Sequence, residues 1–365
     1  MPGNAAGPIV RVAVVTTPSN SASSLFGIRD TLTSVGVAWE TYVSGEAAVP
    51  RFEVSFVGTT TDPFVCVSGT EIRPEYSIGT VAAPDIVVVS STIAALDVPS
   101  TGLDSRMMDW IAAQHAGGKQ VVSSCSGARV LAEAGLLDGK EATTHWGLRD
   151  HFRLFYPRVL LRLEQNLCCA DREHRVVTSG GATAWQELVL YLIARHVGPR
   201  DAVRAAKFWL IPWQGDLQSP YVAMPRGIPH EDREIAACQA WIADNHALDN
   251  PVGRMVEHSG LTRSTFRRRF LEATGYTPMD YVHAVRIEEA KQLLETRGDA
   301  LEAVGQEVGY EDEASFRKLF KRLTGVTPSE HRRRFGLDRF RFLKEGKQLP
   351  LDHREMFAAS AKTTS

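Results

Sequence analysis

Cysteine is scarce in this chain of 365 residues: five occur, at positions 66, 125, 168, 169 and 238. An odd number without framework spacing speaks against a disulfide-stapled secreted scaffold and for a reducing cytoplasm. No Cys/His set has zinc spacing, so neither a metal nor a cofactor is expected. Long apolar runs are also missing. The stretch 9–15 is short and contains Arg11, and the first seven residues lack a charged leader region. No signal peptide and no membrane span are therefore expected. A charge excess of either sign is absent too, since the net charge is −2. Whole-chain charge thus announces no polyanionic partner, and local clusters have to carry that argument. The chain is longer than the roughly 250–300 residues at which single cores stop growing, so two or more domains are expected.

What the chain does contain is a repeat at a spacing of 50 residues. Phe266, Arg267, Phe270, Thr274-Gly275 and Thr277-Pro278 reappear as Phe316, Arg317, Phe320, Thr324-Gly325 and Thr327-Pro328. One structural unit is used twice. Each copy reads as a basic helix with an apolar face, a Gly stop and a Pro restart. Basic clusters fall at matching points, in 263–269 and 317–322, and Arg332-Arg333-Arg334 follows. Ahead of each copy stands a turn glycine, Gly260 or Gly309, and a residue able to cap the next helix, Thr262 or Asp312. This is helix-turn-helix grammar, in which the second helix enters the DNA major groove. Residues 280–296 read as one joining helix with a buried stripe of Ile287, Ala290, Leu293 and Leu294. The aromatics Phe266, Phe270, Phe316 and Phe320, spaced i, i+4, read as core.

The first half alternates strand and helix patterns. Buried strands are expected at 9–16, 85–90, 120–124 and 176–179, and the alternation at 37–43 predicts another. Helices are expected at about 25–34, 103–115, 127–134 and 182–196. This is an α/β domain, a flavodoxin-like parallel sheet with helices on both faces. Residues 1–222 form that domain and 223–234 a linker. Residues 235–336 form an all-α domain with two helix-turn-helix units, and 337–365 a tail. Cys168-Cys169 reads as two neighbouring thiols on a strand.

Val121–Ala128 reads strand, sharp turn, helix, with Cys125 at the apex, the grammar of a nucleophile elbow. A thiol there faces a helix N-terminus, where the dipole favours an anion. His145, in Thr143-Thr144-His145-Trp146, is the candidate partner.

Residues 235–335 resemble the AraC/XylS DNA-binding domain. The pieces that carry the likeness are both helix-turn-helix units, Arg286-Ile287-x-x-Ala290-x-x-Leu293-Leu294, Gly325-Val326-Thr327-Pro328-Ser329-Glu330 and Arg332-Arg333-Arg334-Phe335. The resemblance implies base reading by Arg263, Ser264, Thr265, Arg267 and Arg268 in the first unit. In the second it implies Glu313, Ala314, Ser315, Arg317 and Lys318. The second reading helix opens on Glu311-Asp312-Glu313, which repels phosphate, so the first unit is expected to carry more of the affinity.

Residues 9–220 resemble the PfpI-like, class I glutamine-amidotransferase-like domain, and the pairing of the two domains resembles the GlxA-type transcriptional regulators. Enzyme members of that superfamily place an acid after the first strand and often a His after the Cys. Here the loop is Thr16-Thr17-Pro18-Ser19-Asn20, and Ser126 follows Cys125. Three readings stay open: a non-catalytic pocket at Cys125, Ser126 and His145 for an unknown small-molecule effector, a Cys-dependent amidase or hydrolase, and a dimerisation domain. The resemblance as a whole implies a sequence-specific regulator of transcription. Its partners would be double-stranded DNA, the effector and a second copy of itself, in the cytoplasm at the nucleoid.

Overall fold

The computed structural model describes residues 8–93, 95, 97–212, 218–221 and 230–337. It divides into two compact units, Met1–Gln218 and Ser219–Ser365. Residues 223–229 of the expected linker and 338–365 of the expected tail lie outside the described residues.

The first unit begins β1 (Val10–Val15), α1 (Ala22–Thr33), β2 (Phe52–Gly58), β3 (Phe64–Val65), β4 (Glu71–Ile72) and β5 (Tyr76–Ser77). It continues β6 (Ile86–Val89), α2 (Ser105–Ala116), β7 (Gln120–Ser124), α3 (Gly127–Glu133), β8 (Glu141–Ala142) and α4 (Arg149–Phe155). It closes with β9 (Leu160–Leu161), β10 (Leu167–Cys169), β11 (Val176–Ser179), α5 (Trp185–His196) and α6 (Pro199–Phe208). One sheet runs β10-β11-β7-β6-β1-β2-β5. Its inner order, β2-β1-β6-β7-β11, is the flavodoxin-like order. Every pairing is parallel except that of the edge strand β10, which is antiparallel and carries Cys168-Cys169 as the sequence reading expects.

The β-branched runs explain the sheet. Both faces are covered, so successive side chains enter different cores. Val12, Val14, Ile86 and Val88 pack with Leu25, Ile28 and Leu32 of α1 and Leu192 and Ile193 of α5. Val15, Val87, Val89 and Val121 pack with Met107 and Ile111 of α2 and Ala128 and Leu131 of α3.

The strand expected at 37–43 is instead helical, ending in a wide turn at Glu40–Ser44. The Ala38 N–H donates to Ser34 O and the Thr41 N–H to Val37 O, each at 2.9 Å. Alternation makes a strand only beside an open sheet edge, and both sides of β1 and of β2 are already occupied. Buried Glu40 pairs instead with Arg204 of α6 at 2.9 Å, and Tyr42 stacks on Phe208.

The second unit comprises, among its described residues, α7 (Arg233–Asn245), α8 (Pro251–Ser259), α9 (Arg263–Thr274), α10 (Pro278–Thr296), α11 (Leu301–Glu307), α12 (Glu313–Thr324) and α13 (Pro328–Phe335). The helical unit starts earlier than expected. Asp232 caps α7 by accepting the Ile235 N–H at 3.2 Å, which draws the last residues of the expected linker into the fold. Two cores lie along α10. Val282 closes one with Ile235, Met255, Phe266 and Phe270. Ile287, Ala290, Leu293 and Leu294 close the other with Val304, Phe316 and Phe320. The expected stripe and all four phenylalanines are thus buried, each ring stabilising its bundle by roughly 1.5–3 kcal/mol relative to exposure.

Candidate nucleic-acid interface and elbow site

The repeated residues build two copies of one frame. Gly275 and Gly325 end α9 and α12 in the left-handed region, at φ 76° and 78°. Buried Thr274 and Thr324 donate their hydroxyls to Phe270 O at 2.7 Å and Phe320 O at 2.8 Å. Thr277 and Thr327 cap the helices that follow, each with Pro at the first turn, where its missing N–H costs nothing. Core, stop and restart are therefore specified by the same residue types in both copies.

On α9, Thr262 caps the helix by accepting the Thr265 N–H at 3.4 Å. Arg263, Ser264, Arg267 and Arg268 are exposed and Thr265 is half-buried. Arg268 pairs with Glu272 at 2.9 Å along its own helix. Arg263 and Arg267 have no ion-pair partner among the described residues, so both long cations stand free on the outer face. Arg269 is turned away from that face. It binds Asp232 through two bonds of 2.8 and 2.6 Å and also reaches Glu234, which fastens α9 to the start of α7. Hydrogen bonds from that guanidinium hold Asp232 below the usual carboxylate range. The Arg run at 267–269 thus divides between one free cation, one paired along its helix and one that builds the fold.

On α12, the acidic opening is put to local use. Asp312 is the cap and accepts the N–H groups of Ala314 and Ser315 at 3.3 and 2.8 Å. Hydrogen bonds from Ser315 and Ala314 hold its carboxyl below the usual range. Glu313 accepts from Arg317 Nε at 2.7 Å, so an expected base reader is bound to a second one, a turn away. Ala314, Ser315, Arg317 and Lys318 are exposed, and Glu313 is half-buried.

In the first unit, Cys125 sits at the elbow with φ +54°, a conformation disfavoured for a side chain of its kind. Its N–H donates to Ser179 O at 2.9 Å, and its own carbonyl accepts the Thr144 hydroxyl at 2.8 Å. Gly127 is required by space, since a Cβ there would lie 2.3 Å from Val89 O. Ser126, expected in the pocket, is bonded to the loop after β6. Its Oγ donates to Thr92 O at 2.5 Å and lies 2.9 Å from the Thr92 N–H, which donates to it. These two bonds pin that loop, and the Ser91 hydroxyl lies 3.5 Å from the same oxygen.

His145 is brought to the same end of the sheet by the Thr144 bond. Its Nδ1 accepts the Gly147 N–H at 3.0 Å, and burial pushes the ring below its ordinary pKa. A neutral ring whose Nδ1 accepts in this way carries its proton on Nε2. Among the described residues no carboxylate is bonded to His145 or Cys125. The loop after β1 is filled by neutral groups. Asn20 accepts the Thr17 N–H at 2.6 Å and donates to Ser91 O at 3.0 Å, and the Ser24 and Ser90 hydroxyls meet at 2.7 Å. This loop lies at the switch point between β1 and β6, where flavodoxin-like folds bind ligands. Asn20 and Thr92 escaped the sequence reading because their partners are some seventy and thirty-four positions away. Among the described residues no group of three metal-ligating side chains stands together.

Comparison with known proteins finds a separate match within each of the two units. The model of the DJ-1/PfpI family matches residues 6–195, and that of a helix-turn-helix domain matches 255–334. The HTH-type transcriptional regulator CdhR of Pseudomonas aeruginosa is 25% identical, over 74% of this chain and 78% of its own length. The HTH-type transcriptional regulator GlxA of Rhizobium meliloti is 25% identical, over 80% of this chain and 96% of its own. An isonitrile hydratase of Pseudomonas putida is 30% identical, over 42% of this chain and 63% of its own.

Proposed function

This chain belongs to the DJ-1/PfpI family and carries an AraC-type helix-turn-helix domain, and from that premise we propose that it regulates transcription by reading double-stranded DNA with α9 and α12 under control of a small-molecule effector. The observation that carries the reading is the duplicated frame: two capped helices with exposed polar faces, each in its own bundle and sharing α10. Arg263 and Arg267 read base edges in one major groove, with Ser264, Thr265 and Arg268 beside them. Arg317, Lys318, Ser315, Ala314 and Glu313 face the next groove. Arg pairs bidentately with guanine, and Glu accepts from cytosine N4. The chain works in the cytoplasm as a homodimer; no helix among the described residues is long and apolar enough to cross a membrane.

The effector binds at the sheet end around Cys125 and His145, with Ser126 holding the wall rather than touching the ligand. This unit senses without catalysing. An orienting acid is what makes an imidazole a general base for a neighbouring nucleophile, and here Nδ1 is taken by a backbone N–H. Selection of duplexes from a random library by the full chain tests the DNA reading. Enrichment of one bipartite sequence, lost in Arg267→Ala and kept in Cys125→Ala, is expected; equal, salt-labile binding to all sequences contradicts it.

The retained strained elbow favours a second reading, a Cys-dependent hydrolase or hydratase. Incubation with a simple alkyl isonitrile, followed for the N-alkylformamide that hydration yields, decides between them. No turnover is expected, and Cys125-dependent turnover would establish the enzyme.

A further inference from the structure

One buried cation joins the two halves of the helical unit. Arg286 of α10 is 7% exposed. Its Nε donates to His246 O at 2.7 Å and its Nη2 to Leu248 O at 3.1 Å, both in the segment that leads into α8. Its Nη1 donates to Gly309 O at 2.8 Å, in the turn between α11 and α12. The guanidinium also lies over the Tyr310 ring, 5.1 Å from its centroid. It thus donates to three main-chain carbonyls, two from the segment between α7 and α8 and one from the turn of the second helix-turn-helix, and the Tyr310 side chain bonds to it as well. The approach is close at Gly309, where φ is +89° and a Cβ would lie 2.7 Å from Ala247 O and 2.9 Å from Arg286 Cζ. By contrast, nothing stands within 4 Å of a Cβ on Gly260, the matching turn of the first unit. The second turn is therefore docked on the first unit, and Arg286 is the clasp.

Buried charge bonded only to neutral groups is a poor device for stability. It is a good device for geometry, because the planar fork fixes three carbonyls in one arrangement. We propose that Arg286 is a positioning residue that sets the separation and phase of α9 and α12, so that both reach their grooves at one half-site spacing only. Shared use of α10 leaves each bundle its own core, so loss of the clasp frees one reader relative to the other without dissolving either. This inference rests on the DNA reading above. Two linked readers gain over either alone in proportion to how well the link holds the second at its site.

The test uses the full chain with Arg286→Lys, Arg286→Met or neither. The probes are the bipartite duplex selected by the wild type, the same duplex with one half scrambled, and duplexes with 2 or 5 base pairs inserted between halves. The wild type is expected to lose about 100-fold or more on insertion, within the range that linkage supplies. Both variants are expected to match wild type on the scrambled duplexes within about twofold. They should bind the intact site about tenfold or more weakly and lose most of the discrimination against insertions. Wild-type discrimination kept in both variants overturns the proposal. So does an equal loss on half-sites and intact sites, which would mark Arg286 as a support for folding only. A wild type that selects no sequence overturns the DNA reading itself and this inference with it.

Discussion

Helices α9 and α12 are copies in frame and differ in where their charges stand. Both bury two phenylalanines, stop on a left-handed glycine and restart on Thr-Pro. Yet α9 presents Arg263 and Arg267 without ion-pair partners among the described residues, whereas α12 opens on Glu313, ties Arg317 to it and leaves only Lys318 of its expected readers as an unpaired cation. A repeat preserves what folding needs at each position and leaves the outer face to vary. The difference teaches that duplication of a reader does not duplicate what is read. On the reading proposed above, the first unit carries more of the affinity, because Arg317 must leave a carboxylate to reach a base.

The largest effects should be equal in the two copies. Phe266→Ala and Phe316→Ala each remove a fully buried ring, at a cost of about 3–5 kcal/mol of stability. Denaturant unfolding checks this, and a loss near zero in one copy would break the claim of a shared frame. Next come the readers, where the copies should part. Arg267→Ala should lose about 1–3 kcal/mol of specific binding, and Arg317→Ala less, in fluorescence titrations with the selected duplex. Caps lie lower: Thr262→Ala and Asp312→Ala should each cost about 0.5–2 kcal/mol, read as loss of thermal stability. A smaller effect sharpens the contrast most. Glu313→Gln releases Arg317 from an exposed pair that stabilises by less than about 1 kcal/mol, so stability should barely move. Binding of the selected duplex should become more salt-dependent, by up to about 0.9 in the slope for one added phosphate contact.

A pH effect is expected at the helix the two bundles share, α10. The His283 ring, whose Nδ1 meets the Tyr310 hydroxyl at 3.1 Å, is held below its ordinary pKa by burial and then by Arg286 and Arg322. Its folded-state pKa is below the unfolded value of about 6.5. The stability it contributes is therefore full above about pH 6.5 and is lost as pH falls through the folded pKa. Thermal unfolding of wild type and His283→Gln across pH 5–8 should show a smaller acid loss in the variant.

Much of this was legible locally. The caps, the glycine stops, the phenylalanine pairs and the elbow depend on residues within a few positions of each other, and the structure has them as the patterns imply. What escaped depends on distant partners. Whether 37–43 joins a sheet depends on a free edge, which local alternation does not encode. Arg269 reads as one more cation in a basic run until Asp232, 37 residues earlier, is seen to hold it. Ser126 reads as a pocket hydroxyl, and its two bonds to Thr92, 34 positions earlier, are seen only in the structure. Arg286 reads as one residue of a family pattern, and only the carbonyls of His246, Leu248 and Gly309 around it reveal a clasp.

The most direct test of the account is a side-by-side titration of wild type, Arg267→Ala and Arg317→Ala on the duplex selected by the wild type, with a scrambled duplex as reference. The account predicts specific binding by the wild type, a loss of about tenfold or more for Arg267→Ala and a clearly smaller loss for Arg317→Ala. Equal losses, or a larger loss for Arg317→Ala, would contradict the division of labour between the two helices. A wild type that binds both duplexes alike would contradict sequence reading altogether.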